Sequence, residues 1–195
     1  MEILGKILGN PARVKIMRLF LLNPKNGFTK KDVTKRSRVS STVANKELKI
    51  LTTVDFVKSH TNKTWSFNPL FKYAKEFDRL LISSDTLDKK NIGDSFKKVG
   101  RVKLLLVSGI FIKNKDTRVD LLVVGDKIKR SKVEEEVRKL EAEIGTEIVY
   151  ALFETKEFLY RLDMYDKLIR DILDFPHEII LQTKELSTQT LKKSQ

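Results

Sequence analysis

Cysteine is absent from these 195 residues, and proline occurs only four times. Without thiols the chain can build neither a disulfide framework, nor a thiolate zinc site, nor a cysteine nucleophile. With two histidines in all, it also lacks a Cys or His cluster for sensing a metal. Long apolar runs are missing too. The longest, residues 104–107 and 119–125, fall far short of the roughly 20 residues a helix needs to span a bilayer. The N-terminus has one early lysine but neither a sustained apolar stretch nor a small-residue cleavage site, so no signal peptide is expected and a cytoplasmic location is.

What the chain does have is positive charge. It carries 39 Lys and Arg against 26 Asp and Glu, for a formal net charge of +13 and a pI near 9.8. The hydrophobic fraction of 41% is that of a globular protein, and the length suits one large domain or two small ones. The charge is uneven. Residues 1–90 hold 19 cations and 8 anions, whereas residues 91–195 hold 20 and 18. An excess confined to one half points to nucleic acid or another polyanion as partner, with no membrane involved.

Residues 9–22 open with a helix-start signal: Asn10 can cap and Pro11 suits the first helical position. Ala12, Ile16, Leu19 and Phe20 then share one face, with Arg13 and Arg18 pointing away from it. Residues 23–27 are turn chemistry, and Thr29 can cap a short helix over 30–37. Ser40 or Ser41 can cap a third helix, whose stripe is Ala44, Leu48 and Leu51. Residues 56–59 and 64–68 flank the polar turn 60–63 and read as a hairpin, onto which Trp65 packs.

Three helices and a hairpin follow the order of a winged helix-turn-helix, whose third helix enters the major groove and whose hairpin is the wing. The outward face of that helix would offer Ser41, Thr42, Asn45, Lys46 and Lys49, beside its cap Ser40. Hydroxyl and amide groups can reach base edges, and lysines meet phosphates. Arg36 and Arg38 before the helix, and His60, Asn62 and Lys63 at the wing turn, complete the expected DNA contacts.

Residues 9–16, Gly-Asn-Pro-Ala-Arg-Val-Lys-Ile, resemble the opening of ArsR-type winged-helix repressors, and residues 39–51 resemble their recognition helix. Asp55 stands where that family usually has glycine before the wing, and it too tolerates a left-handed conformation. The resemblance implies binding to double-stranded DNA, and such operators are commonly bound by a homodimer. A helix over 70–82, with Phe71, Phe77, Leu80 and Leu81 as its large apolar residues, suits either an interdomain strut or a dimer arm. The polar residues 83–91 read as a linker, placing a boundary near residue 88.

Beyond it, the residues predict a short helix over 92–99, strands over 102–107 and 119–124, a helix over 131–144 stopped by Gly145, and a strand over 147–153. A helix capped by Thr155, another over 163–173, and a strand over 179–181 complete an α/β pattern with a mixed sheet. The expected class is thus α+β: a winged helix-turn-helix domain over 1–88, an α/β domain over 89–186, and a disordered tail over 187–195.

The second domain resembles a minimal nucleotidyltransferase. In that family a Ser-Gly turn, here Ser108-Gly109, holds the nucleotide phosphates, and an Asp-x-Asp pair on the next strand binds divalent cations. Alternate strand positions share a face, so paired carboxylates can grip the same metals. Here the pair reads Arg118-Val119-Asp120. A cation stands where a metal ligand should, so no metal site and no catalytic residue is expected. Winged helices fused to such a domain resemble predicted archaeal and bacterial transcriptional regulators. The expected function is therefore sequence-specific DNA binding, with the second domain sensing a ligand or dimerising. No resident cofactor is expected; a nucleotide is the ligand its turn would accept. The alternative is a Mg²⁺-dependent nucleotidyltransferase targeted by its winged helix.

Overall fold

The computed structural model describes residues 3–83, 89–114 and 116–187. The chain is α+β and divides into two compact units, one drawn from residues 1–86 and 138–147, the other from 87–137 and 148–195. Residues 188–195 of the disordered tail expected over 187–195, and 84–88 of the expected linker, lie outside the described residues. Among the described residues no helix is long and apolar enough to cross a membrane.

The first unit begins with α1 (Ile3–Ile7) and α2 (Pro11–Leu22), followed by β1 (Phe28–Thr29), α3 (Lys30–Arg36) and α4 (Ser41–Thr53). Then come β2 (Val57–Ser59), β3 (Thr64–Phe67) and α5 (Ala74–Asp78). The caps fall where the side chains predict them. Asn10 Oδ1 accepts the Ala12 N–H at 3.0 Å, Ser40 Oγ accepts Val43 N–H at 3.2 Å, and Thr29 and Asp32 form a reciprocal capping box. Asp55 leaves α4 at φ 58, the left-handed turn its short side chain permits, and leads into the hairpin. Strand β3 is central, pairing antiparallel with β1 and β2, and Trp65 packs partly buried against the core.

That core joins Ile16, Leu19 and Phe20 of α2 to Val33, Ala44, Leu48, Leu51, Phe56 and Phe67. Phe56 anchors it, edge-on to Phe67, Phe71 and Phe77 at ring distances of 5.4, 5.2 and 6.2 Å. Each such fully buried side chain contributes roughly 1.5–3 kcal/mol of transfer free energy.

Two expectations in this unit are corrected. Arg18, expected to point away from the apolar face of α2, is itself buried: it is 2% exposed, its Nε donating to Leu81 O and its Nη1 to Glu143 O, both at 2.9 Å. Long-range carbonyls hold its Nε and Nη1, and a helical-wheel reading cannot see them. The helix expected over 70–82 is shorter. Asn68 Oδ1 accepts Leu70 N–H and Asn68 O accepts Phe71 N–H, which holds a turn there. Helix proper runs over α5 and widens into a π-turn at Arg79–Ser83.

The second unit contains α6 (Lys89–Phe96), β4 (Arg101–Val107), a 3₁₀ turn (Gly109–Phe111) and β5 (Leu121–Asp126). Helix α7 (Arg130–Ile144) follows and ends in residues grouped with the first unit; then come β6 (Tyr150–Glu154), α8 (Thr155–Asp163), α9 (Lys167–Asp174) and β7 (Glu178–Gln182). The sheet is mixed, in the order β6-β5-β4-β7, with β5 and β6 parallel and the other pairs antiparallel. Leu104, Leu106, Leu122 and Val124 form one core with Phe158, Leu162, Ile169 and Ile172 of α8 and α9. Leu105, Val107, Leu121 and Val123, of opposite parity, are equally buried.

Local details differ from the sequence reading here as well. Strands β5 and β6 start two and three residues later than expected, because the Asp120 side chain, rather than a strand partner, takes the Val149 amide. Thr155 is the first residue of α8 and not its cap; Glu154 occupies the cap position without a side-chain bond. The helix expected over 163–173 starts at Lys167, since Tyr165 turns left-handed at φ 54 and Asp166 caps Leu168 and Ile169.

Candidate nucleic-acid interface

Helix α4 has two faces set by its sequence. At 3.6 residues per turn, Ser41, Thr42, Asn45, Lys46 and Lys49 fall within an arc of about 140°, and Ala44, Glu47, Leu48 and Leu51 within about 100° on the other side. All five of the first set are exposed and all four of the second are buried. Apolar burial therefore fixes which face points outward, and that face carries hydroxyls, one carboxamide and two ammonium groups.

Before the helix, Arg38 is exposed and adopts φ 49, while the buried Ser37 closes α3 by donating its N–H to Val33 O. Arg36 is exposed and already engaged: it pairs with Glu147 at 3.0 Å and lies 5.5 Å from the Phe28 ring centre. After the helix, the hairpin turn is tight. His60 N–H donates to Thr64 O at 2.8 Å and Lys63 N–H to His60 O at 3.0 Å, with Lys63 left-handed at φ 58. Asn62 Oδ1 accepts from Thr64 Oγ1 at 2.5 Å, and a ring nitrogen of His60 lies 2.8 Å from Ser66 Oγ. His60, Asn62 and Lys63 are all exposed.

Charge on this segment is lopsided. Residues 28–66 contain nine Lys and Arg and three acids. Two of those acids are occupied within the fold. Asp32 serves the capping box, where the Thr29 hydroxyl and then the Thr29 backbone N–H hold its carboxyl below the ordinary range. Glu47 is buried against Arg13 and Asn10. The Glu47 arrangement went unnoticed in the sequence, although one sign was there: a carboxylate standing inside the apolar arc of a helix must have a partner.

The second constellation, Ser108, Gly109, Arg118 and Asp120, is brought together at one end of β4 and β5. Asp120 is 9% exposed and sits just ahead of β5; Oδ1 accepts Ile110 N–H and Oδ2 accepts Val149 N–H, both at 2.9 Å. Its backbone carbonyl accepts Ser108 N–H at 2.8 Å. Gly109 is left-handed at φ 53, and a Cβ there would lie 2.0 Å from Asp120 Oδ1, so only glycine fits. Ser108 Oγ donates to Pro176 O at 3.0 Å. Arg118, half exposed, pairs with Asp171 of α9. Both Asp120 oxygens thus hold backbone amides, and two residues earlier stands a cation held by a carboxylate. Among the described residues no group of three or more His, Cys, Asp or Glu side chains is placed to hold a metal ion.

No family model, curated protein or solved structure matches this chain.

Proposed function

We propose that the chain is a sequence-specific, double-stranded-DNA-binding transcriptional regulator of the ArsR-like winged helix-turn-helix kind. The observation that carries this reading is the division of α4: a buried apolar arc and an outward arc of Ser41, Thr42, Asn45, Lys46 and Lys49. The arrangement around it supports the same reading. Helices α3 and α4 are joined by a four-residue turn, and a hairpin tipped with His60, Asn62 and Lys63 follows directly. Asn45 is the base-reading side chain, since a carboxamide can pair two-pronged with adenine. Lys46, Lys49, Arg38 and Lys63 meet phosphates. The protein acts as a cytoplasmic homodimer; in support, Ile3 and Ile7, one turn apart on α1, are 73% and 70% exposed.

The second unit is read as a nucleotidyltransferase-like domain serving as a sensor or dimerisation module. The Ser108-Gly109 turn after β4 and the parallel β5–β6 pair support the likeness. Arg118 paired to Asp171, and Asp120 bonded to two backbone amides, speak against two-metal catalysis.

Titrating duplex DNA against salt tests the proposal. Affinity should fall steeply as salt rises. Lys46→Ala with Lys49→Ala should weaken binding to every sequence, and should reduce the salt slope by about one for each phosphate no longer neutralised. Affinity indifferent to salt and to both substitutions would overturn the assignment of α4. Transfer from labelled nucleotides with Mg²⁺, abolished by Asp120→Asn in a variant that remains folded, would instead establish the enzyme.

A further inference from the structure

We propose that Glu47 is a positioning residue, which sets the rotation of α4 about its own axis and thereby the sequence preference of the DNA-reading face. The inference rests on the DNA-binding reading and adds to it a residue that faces away from the DNA.

Glu47 lies in the buried arc of α4, four residues before Leu51, with its side chain 1% exposed. A carboxylate taken from water is tolerated only when its lone pairs are met by well-placed donors. Here each oxygen has its own donor: Arg13 Nε donates to Oε2 at 2.7 Å and Asn10 Nδ2 donates to Oε1 at 2.8 Å. Those donors are themselves fixed. Asn10 caps α2 through Ala12, and Arg13 Nη1 donates to Leu8 O at 2.9 Å, just past α1. One carboxylate therefore ties α4 to the start of α2 and the end of α1.

The rest of the α4 packing is apolar, through Ala44, Leu48 and Leu51. Apolar burial is non-directional, and a helix seated only by it can roll with little change in buried area. Charge-assisted hydrogen bonds are directional. The geometry shows why the roll matters. A side-chain tip stands roughly 6 Å from the helix axis, so a rotation of about 20° displaces it by about 2 Å. That exceeds the whole range of distances over which a hydrogen bond to a base edge holds. Phosphate contacts from flexible lysines survive such a shift, whereas a two-pronged carboxamide contact does not. Glu47 should accordingly govern discrimination between sequences, and only weakly the affinity for duplex DNA in general.

The experiment uses the full chain, the duplex it selects from a random pool, and an unrelated duplex of equal length. Two variants are compared. Arg13→Met with Glu47→Leu replaces the ion pair, buried at Glu47 and 27% exposed at Arg13, by side chains of similar volume, a change that often leaves folding stability unchanged or raised. Glu47→Gln keeps the shape but turns an amide N–H₂ towards one of the two donors. The double variant should melt no lower than the parent, bind the unrelated duplex within about twofold, and lose tenfold or more of its preference for the selected one. Glu47→Gln should lose several-fold of that preference. Should the double variant fail to fold, Glu47→Gln carries the test alone. Parental discrimination in the folded variants would overturn the positioning role and leave a merely structural one. A parent that discriminates between no duplexes at all would instead strike at the DNA-binding reading.

Discussion

Asp120 and Val149 hold each other reciprocally: the Asp120 N–H donates to Val149 O at 2.7 Å, and the Val149 N–H donates to Asp120 Oδ2 at 2.9 Å. The second of these bonds replaces a strand ladder with a side chain, and it gives the buried carboxylate a structural task. Asp120→Asn sets one N–H₂ against a backbone donor, because a carboxamide has a single acceptor oxygen where two amides need one each. The cost of the orphaned donor is about 1–3 kcal/mol. Urea denaturation of the variant should show this as a lowered midpoint at unchanged slope.

Gly109 is bound to the same carboxylate by sterics. A methyl group there would lie 2.0 Å from Asp120 Oδ1 and 2.8 Å from Thr117 Oγ1, at a left-handed φ of 53. Gly109→Ala should therefore destabilise by at least about 2 kcal/mol, from clash and backbone strain together. In a double-mutant cycle with Asp120→Ala the two losses should fall short of additive, since the second change removes the atom the methyl strikes.

Stability should be flat at neutral pH and fall at both extremes. The Lys103 ammonium, 2.8 Å away, foremost holds the Asp126 carboxyl below its ordinary value, and the Ile169 backbone N–H does the same for Asp166. A carboxyl depressed by folding stabilises above its unfolded pKa of about 3.9, and that contribution is lost as pH falls through the folded value. Lys103 is raised by its hydrogen bonds to Asp126 and then Glu185, so its contribution is lost only as pH rises past its ordinary range. Thermal melting across pH should show Asp126→Asn shrinking the acid loss, and Lys103→Met removing the alkaline one.

Within the proposed interface, Asn45 and the lysines should separate cleanly. Asn45→Ala should cost about 1–3 kcal/mol on the preferred duplex and little on others, flattening preference at one base position. Lys63→Ala at the hairpin turn should weaken all duplexes alike. Anisotropy titrations on matched and single-base-changed duplexes distinguish these outcomes.

Much of this fold is legible in local chemistry. Asn10, Thr29 and Ser40 announce their helices because a cap uses neighbours two or three residues away. Asp55 announces its turn for the same local reason. The outward face of α4 follows from its apolar period, and all eleven side chains expected to meet DNA are exposed. The failures share a different cause. Arg18 is held by carbonyls at Leu81 and Glu143, Glu47 by residues more than thirty positions earlier, and Arg118 by Asp171. Local pattern cannot supply these contacts, because the partner that permits each burial or pairing is distant in sequence. The late starts of β5 and β6 belong with them: a side chain took a backbone amide that the strand pattern assigned to the ladder.

Selection of duplexes from a random-sequence pool by the full chain is the decisive test of sequence-specific DNA binding through α4. DNA reading by α4 predicts a single enriched motif, palindromic if a homodimer binds, whose recovery falls steeply with salt and whose information is lost at one position per half-site with Asn45→Ala. Recovery of unenriched sequence, indifferent to salt and to Asn45, would contradict it.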